Sequence, residues 1–204
     1  MGAKREKENL PNQYFEKNPS CQSREREIHV NLGGKERSVL TDSGVFSASG
    51  LDKGTSVLLH SVPTPLPSSR VLDLGCGWGA ISLDLALKSP SCEIWALEIN
   101  ERAKELCKKN AEKLGIKNIR VIEEGQKTPD FDFIYSNPPV RIGKEAMRKL
   151  IGSWMARLKE GGKAYMVVNK HLGSDSLMAW MKEEGWKAQK IKSSKGYRVI
   201  EVCR

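Results

Sequence analysis

The sequence runs to 204 residues, with 34 Lys and Arg against 25 Asp and Glu, a net charge of +9, and 39% hydrophobic residues. That length suits one domain around one core, and no stretch approaches the roughly 20 apolar residues of a membrane helix. A positive field favours a polyanionic partner, RNA first among them, and seven of the cations crowd the stretch from Lys182 to Arg204, against Glu183, Glu184 and Glu201.

Residues 1–23 are polar, charged and broken by Pro11 and Pro19, which predicts a loose basic arm. No apolar segment of a secretory signal follows Met1-Gly2-Ala3-Lys4, and Glu6 spoils a myristoylation-like start, so the expected location is the cytoplasm. Ile28–Leu32 alternates apolar and polar residues, Gly33-Gly34 supplies positive φ, and Arg37–Leu40 returns, the pattern of a β-hairpin. A turn-rich stretch, Thr41–Ser47, precedes a short helix over Lys53–His60, and Pro63, Pro65 and Pro67 form a stiff connector.

Beyond Arg70 strands alternate with helices. Strands are predicted at Val71–Leu74, Glu93–Leu97, Ile119–Ile122, Phe131–Tyr135 and Ala164–Val168. Between them, a helix over Ala80–Lys88 stops before Pro90, and a second, capped by Asn100, runs to Leu114 with Gly115 after it. A third runs from about Lys144 to Leu158 and ends at Gly161-Gly162, and Ser174 or Asp175 caps a fourth that closes at Gly185. Two last strands, near Lys187–Lys192 and Tyr197–Cys203, are joined by a turn and form an antiparallel hairpin at one edge. The predicted fold class is therefore α/β, a doubly wound, mostly parallel seven-stranded sheet with an N-terminal β-hairpin extension. Residues 24–204 form a single domain, with 24–66 as the extension and 67–204 as the core.

Asp73-Leu74-Gly75-Cys76-Gly77-Trp78-Gly79 follows a strand and opens a helix. Its glycines let backbone approach a ligand, and the helix start offers free N–H groups. Gly75, Gly77 and Ala80 also satisfy the dinucleotide-binding G-x-G-x-x-A pattern, so the loop alone leaves a nicotinamide cofactor open. Two acids favour a cationic nucleoside. Asp73, two residues before the first glycine, can accept from an ammonium, and Glu98, at the end of the second strand, can take both ribose hydroxyls. A pyrophosphate has no use for a carboxylate beside it.

The fourth strand ends in Asn137-Pro138-Pro139-Val140, on the side of a doubly wound sheet where ligands bind. An amide or aryl amine is a poor nucleophile because its lone pair is delocalised. The Asn137 side-chain oxygen and the Pro138 carbonyl, gripping its N–H bonds, favour a pyramidal nitrogen. The prolines stiffen that pair by restricting the backbone.

With these motifs the chain resembles class I S-adenosylmethionine-dependent methyltransferases with a Rossmann-like core. Within them it is most similar to the "methyltransferase small" group that includes the small-subunit rRNA guanine-N2 methyltransferases. The likeness covers about residues 24–204 and includes Thr41–Ser47, Leu51–Thr55, the glycine loop and Asn137-Pro138-Pro139. Arg141–Glu145 with Gly196-Tyr197-Arg198 resembles the stand-alone, archaeal-type members.

The resemblance implies S-adenosyl-L-methionine as cofactor and ribosomal RNA, or a ribosomal particle, as partner. It implies that Asp73, Gly75, Cys76, Gly77 and Gly79 hold the methionine end, Glu98 the ribose, and Asn137 and Pro138 the target amine, with Asn137 also bordering the cofactor. Phe46, Lys53 and Thr55 line the cofactor mouth, Glu124 is expected at the adenine, and Pro139, Val140 and Arg141 meet the substrate. Relatives often carry an aromatic residue where this chain has Val140, which leaves Phe46 or Trp78 to stack on the target base. The alternatives are glutamine N5 methylation in a release factor and a non-catalytic, cofactor-binding RNA module.

The five cysteines are scattered and include no C-x-x-C pair, and His29, His60 and His171 lack ligand spacing, so no disulfide framework or metal site is expected. Trp154, Trp180 and Trp186 read as packing residues.

Overall fold

The computed structural model describes residues 17–204. Residues 1–16 of the predicted arm lie outside them. The remainder of that arm lies against the domain: the Glu101 N–H donates to the Lys17 carbonyl at 2.9 Å, and Arg102 donates to the Cys21 carbonyl at 2.9 Å.

Seven strands form one sheet in the order β5-β4-β3-β6-β7-β9-β8. Five are parallel: β3 (Arg70–Leu74), β4 (Glu93–Leu97), β5 (Ile119–Ile122), β6 (Phe131–Ser136) and β7 (Leu158–Asn169). The last strand, β9 (Tyr197–Cys203), inserts antiparallel between β7 and β8 (Lys187–Ser194). A hairpin at the edge was expected, and the chain order within it was not legible. The register-matched run Lys163–Asn169 against Tyr197–Cys203 buries Val199, Ile200 and Val202, which an edge strand would leave half wet. The polar β8 takes the edge instead, where Lys187, Lys190 and Lys192 are exposed and a bulge at Ile191 blunts further pairing.

Alternation along the strands sends neighbouring residues to opposite faces. Leu72, Trp95, Ile134 and Met166 join α4 (Lys144–Met155) and α5 (Ser174–Glu183) in one core. Val71, Ile94, Tyr135 and Tyr165 join α1 (Lys53–Leu59) and α2 (Ala80–Lys88) in the other.

The hairpin of β1 (Arg26–Leu32) and β2 (Lys35–Thr41) packs outside, over α2 and α3 (Glu101–Lys113). Asn110 of α3 is fully buried and bridges that join. Its Oδ1 accepts from the Leu40 N–H at 2.6 Å, and its Nδ2 donates to the Leu40 and Trp78 carbonyls at 2.9 and 3.0 Å.

Two expectations need correction. The helix expected to reach Leu158 ends at Met155, because Trp154 and Met155 complete its buried stripe and Leu158 is already paired with Phe131 in β7. Gly161 (φ +73) and Gly162 sit inside that long strand beside its bulge; a Cβ on Gly162 would lie 2.9 Å from the Lys159 carbonyl oxygen. The N-cap of α5 is Gly173, in the left-handed region; Ser174 and Asp175 fall inside the helix, where both accept from Arg198. Among the described residues no helix is long and apolar enough to cross a membrane, and no group of three or more His, Cys, Asp or Glu could hold a metal.

Candidate active site

The sheet order reverses at β3, with β4 and β5 on one side and β6 and β7 on the other, so the crevice beyond the carboxyl ends of β3, β4 and β6 is where a ligand belongs. The glycine loop, Glu98 and Asn137 all sit there. The Gly75 and Cys76 N–H groups both donate to the Leu97 carbonyl at 2.9 Å, and the Gly77 N–H donates to Glu98 Oε2 at 2.8 Å, pinning the loop to the end of β4. Gly75 (φ +82) and Gly77 (φ +57) are left-handed, and a Cβ on either would project into open space. Gly79 (φ +100) caps α2, and a Cβ there would come within 2.9 Å of Cys107 Sγ. The Cys76 side chain turns away from the crevice into a small cluster with Ala96 and Cys107.

Asp73 is fully buried on the α2 face of β3. Its Oδ2 accepts from the Ser82 hydroxyl at 2.6 Å and the Ser82 N–H at 2.9 Å, while Oδ1 has no partner. Burial pushes its pKa up to about 7 against the pull of the Ser82 bonds, and the nearby Glu98 charge adds to the rise. Glu98 is itself raised by burial, although Asn100, Gly77 and Ile99 N–H groups bond to it. Two desolvated carboxylates facing one loop, one of them with an unused acceptor, suit a ligand carrying positive charge and resist a pyrophosphate.

Asn137 follows β6, whose end is tied to β3 by the Ser136 hydroxyl donating to the Leu74 carbonyl at 2.7 Å. Its Nδ2 donates to Asp52 Oδ2 and to Thr55 Oγ1, both at 3.0 Å. A carboxylate only accepts, so Asp52 decides which way the amide faces and leaves Oδ1 as the outward acceptor. Asp52 also caps α1, taking the Thr55 N–H at 3.0 Å. No sequence motif singles out Asp52, although its position three residues before Thr55 at a helix start is a capping signal. Thr55, expected at the cofactor mouth, is 4% exposed and spends its hydroxyl on Asn137. The Pro138 carbonyl accepts from the Val140 N–H at 2.8 Å and keeps its second lone pair.

Other expected residues distribute more loosely. Phe46 is 40% exposed in the loop that Asn100 Nδ2 anchors through the Gly44 carbonyl at 2.9 Å, beside the end of β4. Lys53 is exposed on the first turn of α1, and Val140 and Arg141 form a 3-10 turn after Pro139. Glu124 is exposed in the turn after β5, while its neighbour Glu123 pairs with Lys104 at 2.9 Å. Trp78 cannot stack on a base: it is 2% exposed, packed between the hairpin and α3. Ile99, unremarked in the sequence, is 50% exposed immediately after Glu98.

The family model of the methyltransferase small domain matches residues 36–201. The chain belongs to that family. Among its relatives is the uncharacterized protein YbxB of Bacillus subtilis, 31% identical over 194 residues, which are 93% of this chain and 96% of YbxB. The ribosomal RNA small subunit methyltransferase C of Shewanella loihica is 35% identical over 146 residues, 68% of this chain and 42% of the relative. Among solved structures, the T. thermophilus 16S rRNA N2 methyltransferase RsmC, in complex with AdoMet and guanosine, superposes with a TM-score of 0.78 at 26% identity, covering 91% of this chain and 52% of that one. The chain thus spans about half the length of the rRNA methyltransferases it resembles.

Proposed function

We propose that this methyltransferase transfers a methyl group from S-adenosylmethionine to the exocyclic N2 amine of a guanine in ribosomal RNA. When bound, S-adenosylmethionine supplies an electrophilic methyl on a sulfonium. Asp73 Oδ1 suits its ammonium, the open space over Gly75 and Gly77 its methionine chain, and Glu98 its ribose. The half-exposed Ile99 and Phe46 offer apolar surface to the adenine, and Glu124, exposed in the turn after β5, is the carboxylate assigned to its amino group.

The observation that carries the reading is the fixed Asn137 amide. With Nδ2 committed to Asp52 and Thr55, Oδ1 and the free lone pair of the Pro138 carbonyl hold the two N–H bonds of a planar amine, drawing its lone pair out of conjugation. Because the acceptors are set before substrate arrives, no reorganisation is needed as charge builds on nitrogen. Pro139, Val140 and Arg141 cover the base, and Val140 does so with an aliphatic face.

RNA rather than a protein amide is favoured by charge. Lys53, Arg141, Lys144, Lys170 and Lys195 all project from the carboxyl-end rim of the sheet, exposed and without an ion pair among the described residues. The test offers labelled cofactor to ribosomal subunits, stripped rRNA and release factor in separate reactions. Label in N2-methylguanosine is expected, diminished when Lys190, Lys192 and Lys195 are neutralised. Label in a release-factor glutamine, with none in RNA, overturns the reading.

The Asp73 site has a pH signature. Its raised pKa means that the ligand-free fold is favoured by this group below pH 4 and loses that contribution as pH rises through about 7. Cofactor binding runs the other way, because only the ionised carboxylate attracts an ammonium. Affinity should therefore rise several-fold between pH 6 and pH 7, where the ionised fraction goes from about a tenth to a half while the ligand's α-ammonium, which titrates at about 8, is still charged. Calorimetry across that range checks it. Asp73→Asn should bind at least tenfold more weakly at pH 8 and show a flat profile; a flat wild-type profile refutes the assignment.

A further inference from the structure

Outside the crevice, α4 and α5 enclose an open groove of about 560 Å³, lined by Lys144, Glu145, Arg148, Lys149, Gly152 and Trp180 among others. We propose that this groove is the seat of the single-stranded RNA that flanks the target guanine, with Arg148 as its fixed phosphate fork.

Three observations point there. The guanidinium of Arg148 lies 5.6 Å over the Trp180 ring, and its Nη2 donates to the Ser176 carbonyl and hydroxyl at 3.3 and 3.2 Å. Trp180 is held in turn, its Nε1 donating to Glu184 at 3.1 Å. The remaining Arg148 N–H groups have no acceptor among the described residues. A guanidinium already ordered loses little freedom on meeting a phosphate, and its planar fork fits two phosphate oxygens.

Second, Lys144 lies one helical turn before Arg148 and Lys149 directly after it, both exposed and unpaired. Cations one turn apart, about 5–6 Å between Cβ atoms, reach successive phosphates of one strand. Glu145 also lines the groove, but Lys144, Arg148 and Lys149 outnumber it, so the local field is positive.

Third, the groove begins where the catalytic loop ends: Val140–Ile142 and Gly143 lead straight into Lys144, the first residue of α4. Lys144, which lines the groove, is thus seven residues from Asn137 along one continuous loop and turn. A guanine that must be unstacked to present its amine is flanked by nucleotides free to follow such a path.

This proposal rests on the RNA reading above, and its test separates the two. Binding of a labelled single-stranded RNA, and of a polyglutamate peptide of equal length, is followed by fluorescence anisotropy over a salt series. Wild type is compared with Arg148→Ala/Lys149→Ala and with Lys144→Ala/Lys149→Ala, whose lysines are exposed and cannot disturb packing. Each pair should weaken RNA binding roughly tenfold or more and lower the slope of log affinity against log salt by about 1.4, since each single-strand phosphate contact contributes about 0.7. Affinity for the cofactor, which none of these residues touches, should not change. RNA affinity and slope unchanged in both variants overturns the groove, even if wild type methylates RNA. RNA bound through the groove without methyl transfer leaves the groove standing and removes the guanine-N2 reading. Polyglutamate bound there in place of RNA, or no RNA binding by wild type, overturns the groove as an RNA seat.

Discussion

Asn137→Ala should lower the rate of methyl transfer by about 10²–10³ while leaving S-adenosylmethionine affinity within a few-fold, the loss expected when one preorganised transition-state contact is removed. The side chain reaches Asp52 and Thr55 and makes no bond with the glycine loop or Glu98, so the cofactor site loses no contact with it. Single-turnover kinetics with saturating RNA isolates the effect, and calorimetry supplies the control. A variant that turns over at the wild-type rate shows that another group orients the amine.

Asp52→Ala should be the next most damaging change, cutting the rate about 10–100-fold at unaltered cofactor affinity, below the range for losing the contact itself. Without the carboxylate, Thr55 Oγ1 remains the sole partner of the Asn137 amide. A hydroxyl both donates and accepts, so it bonds either face, and the expected loss corresponds to roughly nine in ten or more of the molecules turning the wrong atom toward substrate. Loss of the α1 cap adds about 1 kcal/mol of instability. Asp52→Asn discriminates between these consequences. Its side-chain oxygen can accept from Asn137 and cap the helix, so it should recover most of the rate. If Asp52→Ala loses stability and keeps its rate constant, the residue is a cap and nothing more.

Asn137 and Asp52 differ in how much local sequence reveals of them. Asn137 was legible because N-P-P closes a strand at the ligand side of a doubly wound sheet, and Asp73 and Glu98 because each ends its strand beside the glycine loop. Helix α3 declared itself through Asn100, whose side chain does accept from the Ala103 N–H at 3.1 Å. Asp52 lies 85 residues before its partner, and only folding brings the two within 3.0 Å. Ser82, which shares the buried Asp73 carboxylate, looks like any small polar residue of an amphipathic helix. Trp78, beside two left-handed glycines, read as a loop aromatic free to stack. Its burial depends on the hairpin folding back over α3 through Asn110, a tertiary contact with no local signature. The same holds for β9: its alternation was visible, but its place between β7 and β8 depends on which strand offers the more apolar pair of faces.

The most direct measurement is mass spectrometry of ribosomal RNA nucleosides from cells lacking the gene, with complementation by the wild type and by Asn137→Ala. The account predicts loss of N2-methylguanosine from a single site, restored by the wild-type chain and not by the variant. An unchanged nucleoside profile in the deletion strain, or full restoration by Asn137→Ala, would contradict it.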